Sequence, residues 1–159
     1  MEDFESGELS APPRCVLVDD HPDVLDSLAA LLGYKGIAVV GRAVTGAAAL
    51  RELELHRPEL AVVDVRLPDR SGFDVVREAA RITPGTALVI HTAEVGPGIV
   101  ERALEAGALG VVLKDVPSDK LLLAVTAALA GEVYIDPVFH GRQSGLAAMP
   151  ASVKPPEPA

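Results

Sequence analysis

The 159-residue chain has a single cysteine, Cys15, and aromatics make up only 3% of it. A lone cysteine excludes an internal disulfide. Its place in an apolar run suits a reduced, buried thiol and a cytoplasmic setting. With so few rings, a core has to be built from Leu, Val, Ile and Ala, which the 49% hydrophobic content supplies. Basic residues are outnumbered, 14 against 23 acidic, for a formal net charge of -9. That balance gives no electrostatic reason to coat nucleic acid and some reason to attract divalent cations. No apolar run approaches the ~18 residues a membrane span needs. Met1–Ser10 is acidic and lacks the basic-then-apolar layout of a secretory leader. A Walker loop, zinc-ligand spacing and a nucleophile elbow are also missing.

What is present starts at Cys15-Val16-Leu17-Val18-Asp19-Asp20-His21-Pro22, where four apolar residues run into two adjacent carboxylates. Arg14–Asp20 reads as a strand buried on both faces. Pro22 opens a helix with Val24, Leu25, Leu28, Leu31 and Leu32 on one face, closed by Gly33 or Gly36. Further strands are expected at Ile37–Val40, Glu59–Asp64, Thr86–His91 and Val111–Leu113. Helices are expected after Thr45 and over Phe73–Ile82, Ile99–Glu105 and Pro117–Ala130. Met1–Pro13 reads as a disordered tail, residues 14–136 as one domain, and 137–159 as a linker or tail rich in Pro, Ala and Gly.

Five strands alternating with five helices imply an α/β fold: a doubly wound, five-stranded parallel sheet of flavodoxin-like order 2-1-3-4-5. Ligands in such sheets bind beyond the carboxyl ends of the strands, at the switch point. Asp19 and Asp20 end the first strand, Asp64 ends the third, Thr92 follows the fourth and Lys114 follows the fifth. One rim thus gathers three carboxylates, a hydroxyl and an ammonium. Clustered carboxylates suit a hard divalent cation, Mg2+, which takes oxygen ligands and few protein groups.

The segments VLVDDHP, DVRLPDRSG, Thr92-Ala93 and GALGVVLKD together resemble the receiver domain of two-component response regulators, NarL/LuxR-type subgroup. The likeness covers roughly residues 14–136. It implies that Asp64 accepts a phosphoryl group from a sensor histidine kinase and relays it, by a conformational change, to transcriptional output. It also implies that Mg2+ is held by Asp19, Asp20, Asp64 and the backbone carbonyl of Arg66, with Lys114 and Thr92 binding phosphoryl oxygens. Two positions depart from the family pattern. Val111 stands where an aromatic is usual, and Asp115 follows Lys114 where many members have Pro.

Other readings of these residues exist. Asp64 could cap the following turn, Asp19 and Asp20 could serve the helix dipole, and Lys114 could be a solvated strand-end lysine. At the level of function, the competitors are a phosphorylation-independent interaction module and an Mg2+-dependent phosphohydrolase. Against the hydrolase, its two acids would stand two apart rather than adjacent. In the last helix, Leu121, Leu122, Val125, Ala128 and Leu129 share the arc expected to face the sheet. Leu123, Ala124, Ala127 and Ala130 fall outside it. With Ala29 and Ala30 of the first helix, and by resemblance to NarL-type receivers, this predicts a weak homodimer through the first and last helices. Nothing after Pro137 has the pattern of a DNA-binding domain, so no nucleic acid is expected to bind this segment.

Overall fold

The computed structural model describes residues 11–114 and 119–140. In chain order its elements are β1 (Arg14–Val18), α1 (Pro22–Tyr34), β2 (Ala38–Ala43), α2 (Gly46–His56), β3 (Leu60–Val63), α3 (Gly72–Ile82), β4 (Ala87–Thr92), α4 (Ile99–Ala106), β5 (Gly110–Leu113), α5 (Asp119–Leu129) and β6 (Tyr134–Ile135). Every strand pair is parallel, and the sheet runs β2-β1-β3-β4-β5-β6. This is the expected doubly wound order, extended by one edge strand.

Strand alternation sorts the core into two layers. Val16 and Val18 of β1 join Phe73, Ile90, Ile99 and Val111 on the face covered by α2, α3 and α4. Cys15 and Leu17 join Val89, Val112, Leu121 and Val125 on the face covered by α1 and α5. Local signals set the helix starts. Pro22 occupies the first turn of α1, and the Thr45 and Ser71 hydroxyls cap α2 and α3 by accepting from Ala48 and Phe73 amides.

Four expectations need correction. The sheet has a sixth strand, Tyr134–Ile135, paired in register with Gly110 and Val111. Packing also continues past 136: Val138–His140 is helical and the Phe139 ring is fully buried in the layer that holds Val111. At the other end, the Pro13 carbonyl accepts a hydrogen bond from Ala38 at 2.8 Å, so the sheet edge engages residue 13 as well. Ala124 lies against the core, not outside it, while Leu123 is 55% exposed. Ala124 completes the buried stripe Leu121, Ala124, Val125 and Ala128 at i, i+3, i+4, i+7 spacing, and Gly110, where a Cβ would stand 3.4 Å from that of Ala124, gives this small residue room against β5. The start expected for this helix at Pro117, and Asp115 before it, lie outside the described residues.

Candidate functional site

The strand ends place the site. β1 ends at Val18, which pairs with Ala43. Asp19 still donates its amide to Ala43, but Asp19 and Asp20 sit in the loop above the sheet. On the neighbouring strand, Asp64 donates its amide to Val18 and sits just beyond β3. The first and third strands are adjacent in the sheet, so the three acids meet at the switch point. One ligand atom each from Asp19, Asp20, His21 and Asp64 lies within 4.8 Å of all the others.

Lys114 follows β5 and reaches back over the rim. Its Nζ donates to Asp64 Oδ2 at 3.0 Å and lies 2.5 Å from Asp19 Oδ2. Both acids are almost fully buried, Asp19 at 1% and Asp64 at 4% exposure. Burial pushes the Asp64 carboxyl up; Lys114 pulls it back and the Asp19 charge adds to the rise, leaving it raised. Burial also works against the Lys114 ammonium, but hydrogen bonds and charge from Asp19 and Asp64 outweigh it, and its pKa is raised too. Burial acts oppositely on the two groups, but the Asp19 charge raises both. One positive charge serves two buried negative ones, so the group holds its protons tightly and has capacity for more positive charge.

Asp19 Oδ1 accepts from the His21 amide at 2.9 Å, which fixes the turn. Its Oδ2 has the Lys114 ion pair but no well-directed hydrogen bond, and Asp20 Oδ1 lies 2.9 Å from His21 Nδ1, again without one. Buried carboxylate oxygens short of donors, gathered within a few ångströms, fit a hard cation that takes oxygen ligands. The Arg66 amide donates to Asp64 Oδ1 at 3.3 Å, and its guanidinium pairs with Glu94 from the β4–α4 loop. Thr92 ends β4, buried; its hydroxyl accepts from the Glu94 amide at 3.0 Å, and its carbonyl accepts from the Lys114 amide at 2.6 Å. The structure therefore gathers Asp19, Asp20 and Asp64, sets Lys114 against Asp19 and Asp64, and places Thr92 and Arg66 on the flanks.

The loop carrying Asp64 onward is held by two features outside the expected set. Gly72 packs so closely that a Cβ there would collide with the Asp64 carbonyl. Asp69 reaches across to α2, accepting from the Gly46 and Ala47 amides at 2.7 and 2.9 Å, which lowers its pKa. An Asp next to Pro68 reads in sequence as a turn residue, with no hint of a partner 22 residues upstream. His91 was given no role by the sequence. Its ring is buried and its Nδ1 lacks a partner; burial first, then the Lys114 charge, push it down to about 4, so it is neutral.

Comparison with known proteins matches the model of the response regulator receiver domain over residues 15–126. The chain belongs to this family. The DNA-binding transcriptional activator DevR/DosR of Mycobacterium tuberculosis is 37% identical over 124 residues, covering 77% of this chain and 57% of that protein. The transcriptional regulatory protein PdtaR of the same organism is 34% identical over 125 residues, covering 77% and 60%. A LuxR-family two-component response regulator from an Aurantimonas species has a similar structure, with a TM-score of 0.79 at 30% identity over 84% of this chain and 96% of that one. The chain thus spans about three fifths of the length of those two curated relatives. Among the described residues, no helix is long and apolar enough to cross a membrane.

Proposed function

We propose that this receiver domain is a phosphorylation-dependent switch with Asp64 as phosphoacceptor. The observation that supports it most is the Lys114 ammonium set between two nearly buried carboxylates, 3.0 Å from Asp64 Oδ2. A carboxylate oxygen of Asp64 attacks the phosphorus of a kinase phosphohistidine, and the P–N bond breaks as the imidazole leaves. Lys114 then exchanges its bond to Asp64 for one to a phosphoryl oxygen, and the Thr92 hydroxyl gives up the Glu94 amide to donate to another. Asp19, Asp20, Asp64 and the Arg66 carbonyl would hold Mg2+, which supplies positive charge against the equatorial oxygens. The role of Lys114 is to keep the nucleophilic carboxylate oriented before transfer and to neutralise charge during it.

Phosphorylation adds about one negative charge at the rim, since the phosphoryl group replaces the charge of the carboxylate it is bonded to. That charge draws Lys114 and Thr92 inward, and the β4–α4 loop follows through Glu94. By likeness to DevR/DosR and PdtaR, the readout is transcriptional, through a part of the protein beyond this segment. The exposed Leu123 with Ala127 on α5, Ala130 just after it, and Ala30 on α1, is the surface for a weak homodimer that phosphorylation favours. The test is incubation with acetyl phosphate, with and without Mg2+, read by intact-mass spectrometry. One phosphoryl group gained only with Mg2+ supports the switch; none gained in either condition removes it.

A further inference from the structure

Lys114 works over a long reach. β3 and β5 are two strand spacings apart, roughly 10 Å, and the side chain has to cross β4 to touch Asp64. With so little slack, its contact depends on where the end of β5 is held. On one side, the Lys114 amide is bonded to the Thr92 carbonyl at 2.6 Å. On the other side the ladder runs out, because β6 ends at Ile135, opposite Val111. The Leu113 amide has no strand left to meet, and a buried backbone donor without a partner is costly.

A side chain takes it. Asp136 is 2% exposed, and its Oδ2 accepts from the Leu113 amide at 3.1 Å. Its Oδ1 accepts from the Val138 amide at 3.1 Å, and its own amide donates to the Val111 carbonyl at 2.8 Å. A single carboxylate thus closes the end of β5 and the turn that seats Phe139 in the core. We propose that Asp136 is a positioning residue for Lys114, acting through the Leu113 amide. Its removal lets the last residues of β5 drift, and the ammonium leaves Asp64. This inference rests on the switch reading of the site, and it ties the point where the chain leaves the sheet to the chemistry at the rim.

The experiment is a double-mutant cycle on the full 159-residue chain, reading the acetyl phosphate reaction rate and, separately, Mg2+ affinity. Asp136→Ala should slow phosphorylation about tenfold, as a small misplacement of a reacting group does. Its Mg2+ affinity should hold or rise, since Asp19, Asp20 and Asp64 are untouched and a displaced ammonium competes less with the cation; a parallel loss of Mg2+ affinity and rate would mark a merely structural role and overturn the proposal. In a Lys114→Ala background, Asp136→Ala should change the rate less than about twofold; an undiminished effect there overturns it too. Asp136→Asn keeps one oxygen for the Leu113 amide and should restore most of the rate; it also carries the test if the alanine variant does not fold. Should wild type take up no phosphoryl group, the switch reading falls, and the crystal structure of Asp136→Asn or Asp136→Ala decides the positioning role. Lys114 Nζ still at its 3.0 Å contact in the alanine variant, or in a folded asparagine variant whose Leu113 amide has lost its partner, overturns it; displacement with the loss of that bond supports it.

Discussion

Replacing Lys114 with Met removes the ammonium and keeps the length and most of the bulk of the side chain. Asp19 and Asp64 then face each other unneutralised, with ligand oxygens no more than 4.8 Å apart. At an effective dielectric constant of about 20, two unit charges at that distance repel by about 3.5 kcal/mol. Losing the attraction to the ammonium adds to this, while a proton taken up by Asp64 relieves part of it. Removing one partner of a buried ion pair costs about 3–5 kcal/mol, and Lys114, with 16% of its side chain exposed, belongs near the lower end. For a folded body of roughly 125 residues, about 3 kcal/mol is a fall in Tm of about 10 °C. Calorimetry in chelator at neutral pH reads this directly. Two further arms check the cause. Mg2+ binds the more negative site more tightly, so it should raise the Tm of the variant more than that of wild type. The raised Asp64 carboxyl stabilises the fold below its unfolded pKa of about 3.9, and this is lost as pH rises through the folded value. Acidification should therefore recover stability in the variant. A Tm within about 2 °C of wild type in chelator, or equal gains from Mg2+, would refute the reasoning.

Three further outcomes follow from the same structure. His91, held neutral with a pKa pushed down to about 4, contributes stability above its unfolded value near 6.5 that is lost as pH falls towards 4, by at most about 3 kcal/mol; His91→Gln should flatten the acid limb of a denaturation series, and an unchanged limb would place that loss elsewhere. Phe139→Ala should cost about 3–5 kcal/mol in urea denaturation, because the ring is fully buried; a loss under about 1 kcal/mol would mean that the packed body ends before it. Asp69→Ala should speed amide exchange at Gly46 and Ala47, whose donors it accepts, while leaving α3 protected; uniform exchange changes would contradict a local clasp.

The strands were legible because each carries a physical signature. Val16–Val18 and Leu60–Val63 are apolar at every position, as strands covered on both faces must be. The acids at their ends could be read for the same reason, since charge after an apolar run has to leave the sheet. β6 was not legible, because two residues cannot display a period of two, and Tyr134–Ile135 stands in the short stretch between Gly131 and Pro137. Ala124 was misplaced because the core arc was set too far round the helix; the buried residues Leu121, Ala124, Val125 and Ala128 follow the i, i+3, i+4, i+7 spacing, and the bare Gly110 on the facing strand leaves room for the small one. Asp69 and Asp136 were invisible as functional candidates because their partners are backbone amides brought near only by the fold. Sequence reveals chemistry where side chains meet side chains, as with Asp19, Asp64 and Lys114. It is silent where a side chain serves a distant main chain.

On the proposed mechanism, Asp64 is the residue that takes the phosphoryl group. Acetyl phosphate and Mg2+, followed by borohydride reduction of the acyl phosphate and peptide sequencing by mass spectrometry, test it most directly. Reduction is expected at Asp64 alone in wild type, none in Asp64→Ala, and a weak signal at the same position in Lys114→Met. Labelling at Asp19 or Asp20 instead, or undiminished labelling of Asp64→Ala, would contradict it.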